Sequence, residues 1–179
     1  LPTVVYTIGH STRTFPEFLA LLREHGIRTL ADVRTVPRSR GLPDFNQDAL
    51  ATALPAAGIA YVHMPRLGGW RRGLGGQSPN TYWRNESFRA YADYMQTAEF
   101  TAGLDELIAL AATAPTAIMC AEALPWRCHR WLISDALTVR GLLVCHLTGP
   151  GPCRPHRLSP AARLADGHLI YPYPAEDNE

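Results

Sequence analysis

Thr116-Ala-Ile-Met-Cys120, Ala121-Glu-Ala-Leu-Pro-Trp-Arg127, Cys128-His-Arg-Trp-Leu-Ile-Ser-Asp-Ala-Leu-Thr-Val-Arg140 and Gly141-Leu-Leu-Val-Cys-His-Leu147 follow one another without a break. The first piece is an apolar run of strand length. The third carries Cys128, Trp131, Leu132, Ala136 and Val139 at helical spacing, with Gly141 as its stop, and Leu142–Leu147 is again strand-like. The same alternation extends upstream. Thr3–Ile8 reads as a strand, Thr14-Phe-Pro-Glu17 as a capping box with proline in the first turn, and Gly26 as a helix end. Ile27–Val33 is a second strand, Asn46 opens a helix that Gly58 closes, and Ile59–Met64 is a third strand. Helical spacing returns at Phe88, Tyr91 and Met95 and at Leu104, Leu107, Ile108 and Ala111. Buried strands alternating with helices predict an α/β fold: one three-layer domain over 1–179 with a mainly parallel, Rossmann-like sheet of about five strands. Residues 149–179 form an irregular C-terminal extension, with a short helix expected at Ser159–Leu164 and a strand at His168–Tyr171.

Composition removes several chemistries. All 17 basic residues are arginine, against 16 acidic ones, for a net charge of +1. Without lysine there is no Schiff base, no pyridoxal anchor and no Walker A loop. A near-neutral chain also argues against a broad basic face for duplex DNA. No apolar run reaches the ~20 residues that span a bilayer, so no membrane association is expected. The chain opens on a strand rather than a basic leader, which predicts a cytoplasmic protein. The four cysteines, Cys120, Cys128, Cys145 and Cys153, are too few and too irregular for a disulfide scaffold, so reduced thiols are expected.

In a parallel α/β sheet, ligands bind beyond the carboxyl ends of the strands. The residues just past each predicted strand are Gly9, His10 and Ser11; Asp32 and Arg34, followed by Arg38 and Arg40; His63 and Arg66; Cys120 and Glu122, then Arg127, Cys128, His129 and Arg130; and His146. From these, His10, Asp32, Cys120, Glu122 and His129 are the candidate catalytic residues, and Ser11, Arg34, Arg40 and Arg130 the candidate anion ligands. A thiol at a strand end, facing a helix start with arginines, would be stabilised as thiolate, with Glu122 or His129 moving its proton. Cys128 lies on the apolar stripe of its predicted helix and reads as core. The phosphatase signature of cysteine, five residues and arginine is missed by one position, because six residues separate Cys120 from Arg127. No cofactor is expected. Zinc is the metal that Cys120, Glu122, Cys128 and His129 would suit, but no CxxC or HxxxH pair is present, so no metal ligands are assigned.

The long stretch 66–85 holds five glycines, two tryptophans and four arginines. A loop of this length inside a compact fold is commonly functional. It lacks a GxGxxG fingerprint, so nucleotide cofactors are not indicated. Gly68, Gly69, Trp70 and Arg71 are expected to cover a substrate at the strand ends.

Tyr6-Thr-Ile-Gly-His-Ser11, Asp32-Val-Arg34 with Pro37-Arg-Ser-Arg40, Leu67-Gly-Gly69, and Cys120-Ala-Glu122 followed by Cys128-His-Arg130 together resemble the domain of unknown function 488 family. The resemblance continues into Pro155-His-Arg-Leu-Ser-Pro-Ala-Ala-Arg163 and Leu169-Ile-Tyr-Pro172. It implies a compact bacterial or archaeal α/β domain with signature positions at Gly9, His10, Asp32, Arg34, Arg40, Cys120, Glu122, Cys128, His129 and Arg130. It assigns no activity. Three functions compete. One is a hydrolase or transferase for a small anionic, phosphorylated or nucleotide-like molecule. Another is a nucleic-acid module using Arg38, Arg40, Arg66, Arg71, Arg72 and Arg84 with Trp70 and Trp83. The third is a metal-binding or purely structural rim.

Overall fold

A computed structural model of the chain describes residues 2–174. Five strands lie parallel in the order β3 (Ala60–His63), β2 (Thr29–Asp32), β4 (Thr116–Cys120), β1 (Val4–Gly9) and β5 (Leu143–Leu147). A two-residue strand, β6 (Arg154–Pro155), adds antiparallel to β5 at the edge. The sheet therefore has six strands rather than about five, and is otherwise the expected mostly parallel α/β arrangement.

Side-chain alternation along the strands builds two cores, one per face. Ala117 and Met119 of β4 join Ile8 and Leu30 under α1 (Phe15–Glu24) and α2 (Gln47–Ala56), against Phe18, Leu22, Leu50 and Leu54. Ile118 points to the other face, with Val5, Ala31 and Val144. It packs there beneath α3 (Glu86–Tyr94), α4 (Ala98–Thr113) and α5 (Arg130–Val139). The capping box at Thr14 and Glu17 forms as the sequence predicts. Asn46 stands at the N-cap of α2 but leaves the helix uncapped. Its side-chain oxygen instead accepts from the Ser39 N–H at 2.9 Å and holds the loop after β2.

The topology places the site. β4 lies between β1 and β2, and the chain leaving β4 turns to the α5 face while those leaving β1 and β2 turn to the α1/α2 face. Neighbouring connections that diverge to opposite faces open a crevice at the strand carboxyl ends. Gly9 pairs with Cys120 in register, and the ladder runs on through His10 N–H to Cys120 O (3.0 Å) and Ser11 N–H to Ala121 O (2.9 Å).

Two expectations are corrected. Ser159–Leu164 is not a helix: the chain turns and enters a hairpin of β7 (Arg163–Ala165) and β8 (His168–Ile170). Asp166 and Gly167, both at positive φ, make the two-residue turn, and Asp-Gly is a strong hairpin signal. Nor are all the thiols reduced. Cys145 of β5 and Cys153 are bonded to each other, because the β5–β6 hairpin folds Cys153 back alongside β5. Only Cys120 and Cys128 are free thiols. No helix among the described residues is long and apolar enough to cross a membrane.

Candidate functional site

At the crevice, the Cys120 and Cys128 sulfurs are 3.0 Å apart. Cys120 ends β4, and Cys128 lies two residues before α5 rather than on its apolar stripe. Between and beneath them lies the Arg130 side chain, 1% exposed. Its Nε donates to Cys120 Sγ (2.9 Å) and Cys128 Sγ (3.2 Å), Nη1 to Thr7 Oγ1 (3.0 Å), and Nη2 to Glu122 O (2.7 Å). The Arg130 backbone N–H, one of the unpaired donors at the start of α5, also reaches Cys128 Sγ at 3.3 Å. All three guanidinium nitrogens donate. Such a buried cation requires negative charge nearby, and the thiols are the groups able to supply it.

The two sulfurs are unlike each other. Burial pushes the Cys120 thiol well above its ordinary range, and its contact with Cys128 adds to this. Burial acts on Cys128 in the same sense, but there the Cys120 hydrogen bond, Arg130 and His129 outweigh it and hold the thiol well below the ordinary range. Cys128 also takes the extra backbone N–H. These opposite shifts, with the extra backbone N–H on Cys128, favour negative charge on Cys128 over Cys120.

Gly9 makes room for this centre. A Cβ there would lie 1.6 Å from Glu122 O and 3.0 Å from Arg130 Nη2. Only glycine lets the β4–α5 loop press against β1, where its carbonyl accepts from Arg130. Gly69 plays the same part on the opposite wall, where a Cβ would meet His129 Nδ1 at 2.6 Å. His129 Nε2 donates to Val33 O at 2.6 Å, and its ring packs on Tyr91.

Above the sulfurs is a cavity of about 800 Å³, lined among others by Cys120, Glu122, Cys128 and His129. Arg38, Arg72 and Arg127 line it too, all exposed, and among the described residues none has an ion-pair partner. Trp70, 74% exposed, stands at the rim, its backbone N–H anchored on Thr35 Oγ1. Arg71 lies over the Tyr94 ring at 3.8 Å and donates to Gly68 O and Pro65 O, so it braces the loop. Buried Asp93 holds the remainder of that loop, accepting from Leu74 N–H, Ser78 Oγ and Asn80 Nδ2. Trp83 packs inward against Phe88 and Tyr171.

The other sequence-selected residues form a separate buried network on the α1/α2 side. Arg34 grips Asp32 through Nε (2.9 Å) and Nη2 (2.7 Å), and Tyr61 donates to the same carboxylate at 2.6 Å. Arg34 Nη1 donates to Ser39 Oγ at 2.9 Å, which leaves the Ser39 proton for His10 Nε2 at 2.6 Å. His10 Nδ1 in turn donates to Ser11 O at 2.8 Å. Burial holds His10 below the ordinary imidazole value, with the Ser11 carbonyl opposing. Ser11 adopts positive φ (49°). Neither Ser11, His10 nor Asp32 lines the cavity, and exposed Arg40 lies outside it. Arg34 lines it, with its guanidinium already committed to Asp32 and Ser39.

One network escaped the sequence reading. From Arg130, Thr7 Oγ1 donates to His146 Nδ1 (2.6 Å), His146 Nε2 to His156 Nδ1 (2.9 Å), and His156 Nε2 to Asp135 Oδ1 (2.7 Å). Asp135 also accepts from Ser159 and the Tyr171 hydroxyl. The direction is set by Arg130, which can only donate, so Thr7 must pass its proton towards His146. Burial first, then His156 and Arg130, holds His146 down at about 3, so it is neutral. His146 was visible as a strand-end residue. Its partners lie in the C-terminal segment, and no spacing rule links them.

Among the described residues, no group of three or more His, Cys, Asp or Glu side chains is arranged to hold a metal ion. No curated protein and no solved structure matches the chain. The family model described as "Domain of unknown function DUF488" matches residues 14–137, from the cap of α1 into α5. That span includes Cys120, Glu122, Cys128, His129 and Arg130, and covers more than half of the sequence. A mostly parallel α/β sheet carrying the paired cysteines between β4 and α5, matched by that model over this length, makes the chain a member of the DUF488 family.

Proposed function

We propose that the cavity binds a small anionic molecule against Arg38, Arg72 and Arg127 and presents it to the Cys128 thiolate. One observation carries this reading: a close sulfur pair, held by a buried arginine, lies in a cavity lined by three exposed arginines. Thiolates are nucleophiles, and local positive charge both lowers their pKa and concentrates anions. The chain is then an enzyme whose nucleophile is Cys128, with Cys120 as its hydrogen-bond donor. Glu122 enters through its backbone carbonyl, and His129 through its place in the wall. His10, Asp32, Ser11 and Arg34 support the loop that carries Arg38, and Arg40 has no contact with the ligand.

A nucleotide-like ligand fits this reading better than a nucleic-acid strand does. Trp70 offers an open indole beside the arginines for a single ring, whereas Trp83 is packed inward and Arg71 is committed to Tyr94.

Two alkylating agents of equal size test the proposal. Iodoacetate carries a negative charge and iodoacetamide none. The ratio of their rates at Cys128, divided by the same ratio for free cysteine, should exceed unity by on the order of tenfold at low salt. It should collapse in 0.5 M salt and in the Arg38→Ala/Arg72→Ala/Arg127→Ala variant. A ratio equal to that of free cysteine would show that the cavity does not gather anions.

A further inference from the structure

We infer that Cys128 and Cys120 are an attacking and resolving thiol pair that reduces small anionic disulfides held in the arginine-lined cavity. The inference rests on the anion-binding reading and names its substrate class.

A thiolate nucleophile acting alone needs no second cysteine, and hydroxyl or amide donors are the commoner way to stabilise one. Here the donor is another thiol, with sulfur 3.0 Å from sulfur. Forming a bond of about 2.05 Å between them requires an approach of about 1 Å. Both residues sit where one can give way. Cys120 is the last residue of β4, and Cys128 follows a short turn at Pro125–Arg127 rather than lying inside α5. Arg130 Nε is shared by both sulfurs, so it can follow the negative charge from one to the other. Both cysteines line the same cavity, so a substrate that reaches one lies beside the other.

The chemistry balances with the substrate as oxidant. The Cys128 thiolate attacks one sulfur of R–S–S–R. A Cys128–S–R bond forms, the substrate S–S bond breaks, and R–S⁻ leaves with the electron pair. The Cys120 thiol then loses its proton, which passes to the departing thiolate or to solvent. Its sulfur attacks Cys128 Sγ and expels the second R–S⁻. The substrate gains two electrons and becomes two thiols, while the protein dithiol becomes a Cys120–Cys128 disulfide. A low-pKa attacking thiol beside a higher-pKa resolving thiol favours this order. Cys145 and Cys153 cannot take part, being bonded to each other in the β5–β6 hairpin.

The test uses the full chain, reduced and desalted, in the Cys145→Ser/Cys153→Ser background so that only one thiol pair reports. The probe is dithiobis(nitrobenzoate), a dianionic disulfide that releases a coloured thiolate. The expected release is about two equivalents per chain, with no retained adduct by mass and a mapped Cys120–Cys128 bond. Cys120→Ser should release about one equivalent and keep the other half as a stable adduct. Divided by the same ratio for free cysteine, the rate ratio of this dianion to cationic cystamine should exceed unity by on the order of tenfold or more, and the arginine triple variant should return it to unity. One equivalent with a stable adduct in this background chain would overturn the resolving role without any substitution at Cys120 or Cys128. If the iodoacetate preference holds while this occurs, the anion cavity stands and the thiol pair falls. Without that preference, and with the dianion-to-cystamine ratio equal to that of free cysteine, both fall.

Discussion

Arg130 is the residue on which the site depends. It has three side-chain nitrogens and four partners: two sulfurs, a hydroxyl and a carbonyl, all buried. Removing a buried, fully engaged charge leaves every partner unmatched, so Arg130→Ala should cost about 3–5 kcal/mol, read as a shift of the urea midpoint. Arg130→Lys keeps the charge but loses the fork, and should recover only part of that. Gly9→Ala acts on the same centre from below. With Glu122 O 1.6 Å from the added Cβ, the loop must move and the Arg130–Glu122 bond must lengthen. A loss of about 2 kcal/mol or more, together with slower Cys128 alkylation at pH 6, is expected. Unchanged alkylation would show that the Glu122 carbonyl does not help to set the thiolate. At this scale the sequence was informative about residue types and less so about their partners. The strand-end census placed Cys120 and Arg130 together. It also expected Cys128 to be buried, as it is, but on α5, because helical spacing extends two residues beyond the true start of that helix.

The elements explain why. Hydrophobic period and capping residues located β1 to β5 and all five helices, since each is set by local pattern and by burial on one or two faces. The C-terminal segment follows other rules. It is held by Asp135 of α5, which gathers His156, Ser159 and Tyr171, and by the Cys145–Cys153 bond. These contacts are long-range and polar, so no periodicity announces them, and the helical spacing at Ser159–Leu164 was overridden by Asp166-Gly167. Asp135→Ala should release this segment. Limited proteolysis would then cut after Arg154, Arg157 or Arg163, whereas cleavage as slow as in the parent would show the anchor lies elsewhere. The Cys145→Ser/Cys153→Ser chain should lose about 2 kcal/mol of stability for its short loop and keep its alkylation rates.

Across the whole molecule the polar interior is divided by the sheet. The His10–Ser39–Arg34–Asp32 network lies on the α1/α2 side, and the Arg130–Thr7–His146–His156–Asp135 chain on the α5 side. Both contain a histidine held below its ordinary pKa by burial. For such a group the unfolded chain binds the proton more readily than the folded one. The stabilisation is complete above the unfolded value near 6.5 and is lost as pH falls through the window towards about 3 for His146. The melting temperature should therefore decline below pH 6.5, and His146→Gln, which takes up no proton, should decline less steeply between pH 6.5 and 4. Parallel slopes would mean that His146 does not stay neutral in the folded protein. The two networks converge on one crevice because β4 lies between β1 and β2 while its outgoing chain turns to the other face. Strand order is a long-range property, so strand-by-strand reading found the rim without separating the cavity-lining residues from those that brace them. The proposed chemistry requires a Cys128 thiolate in the resting protein. The rate of iodoacetamide labelling at Cys128 and Cys120, resolved by peptide mass from pH 5 to 9, decides this. Cys128 should already react near its plateau rate at pH 6 while Cys120 stays protected. A Cys128 rate that climbs about tenfold per pH unit from 6 to 8, as for an ordinary thiol of pKa ~8.5, would contradict it.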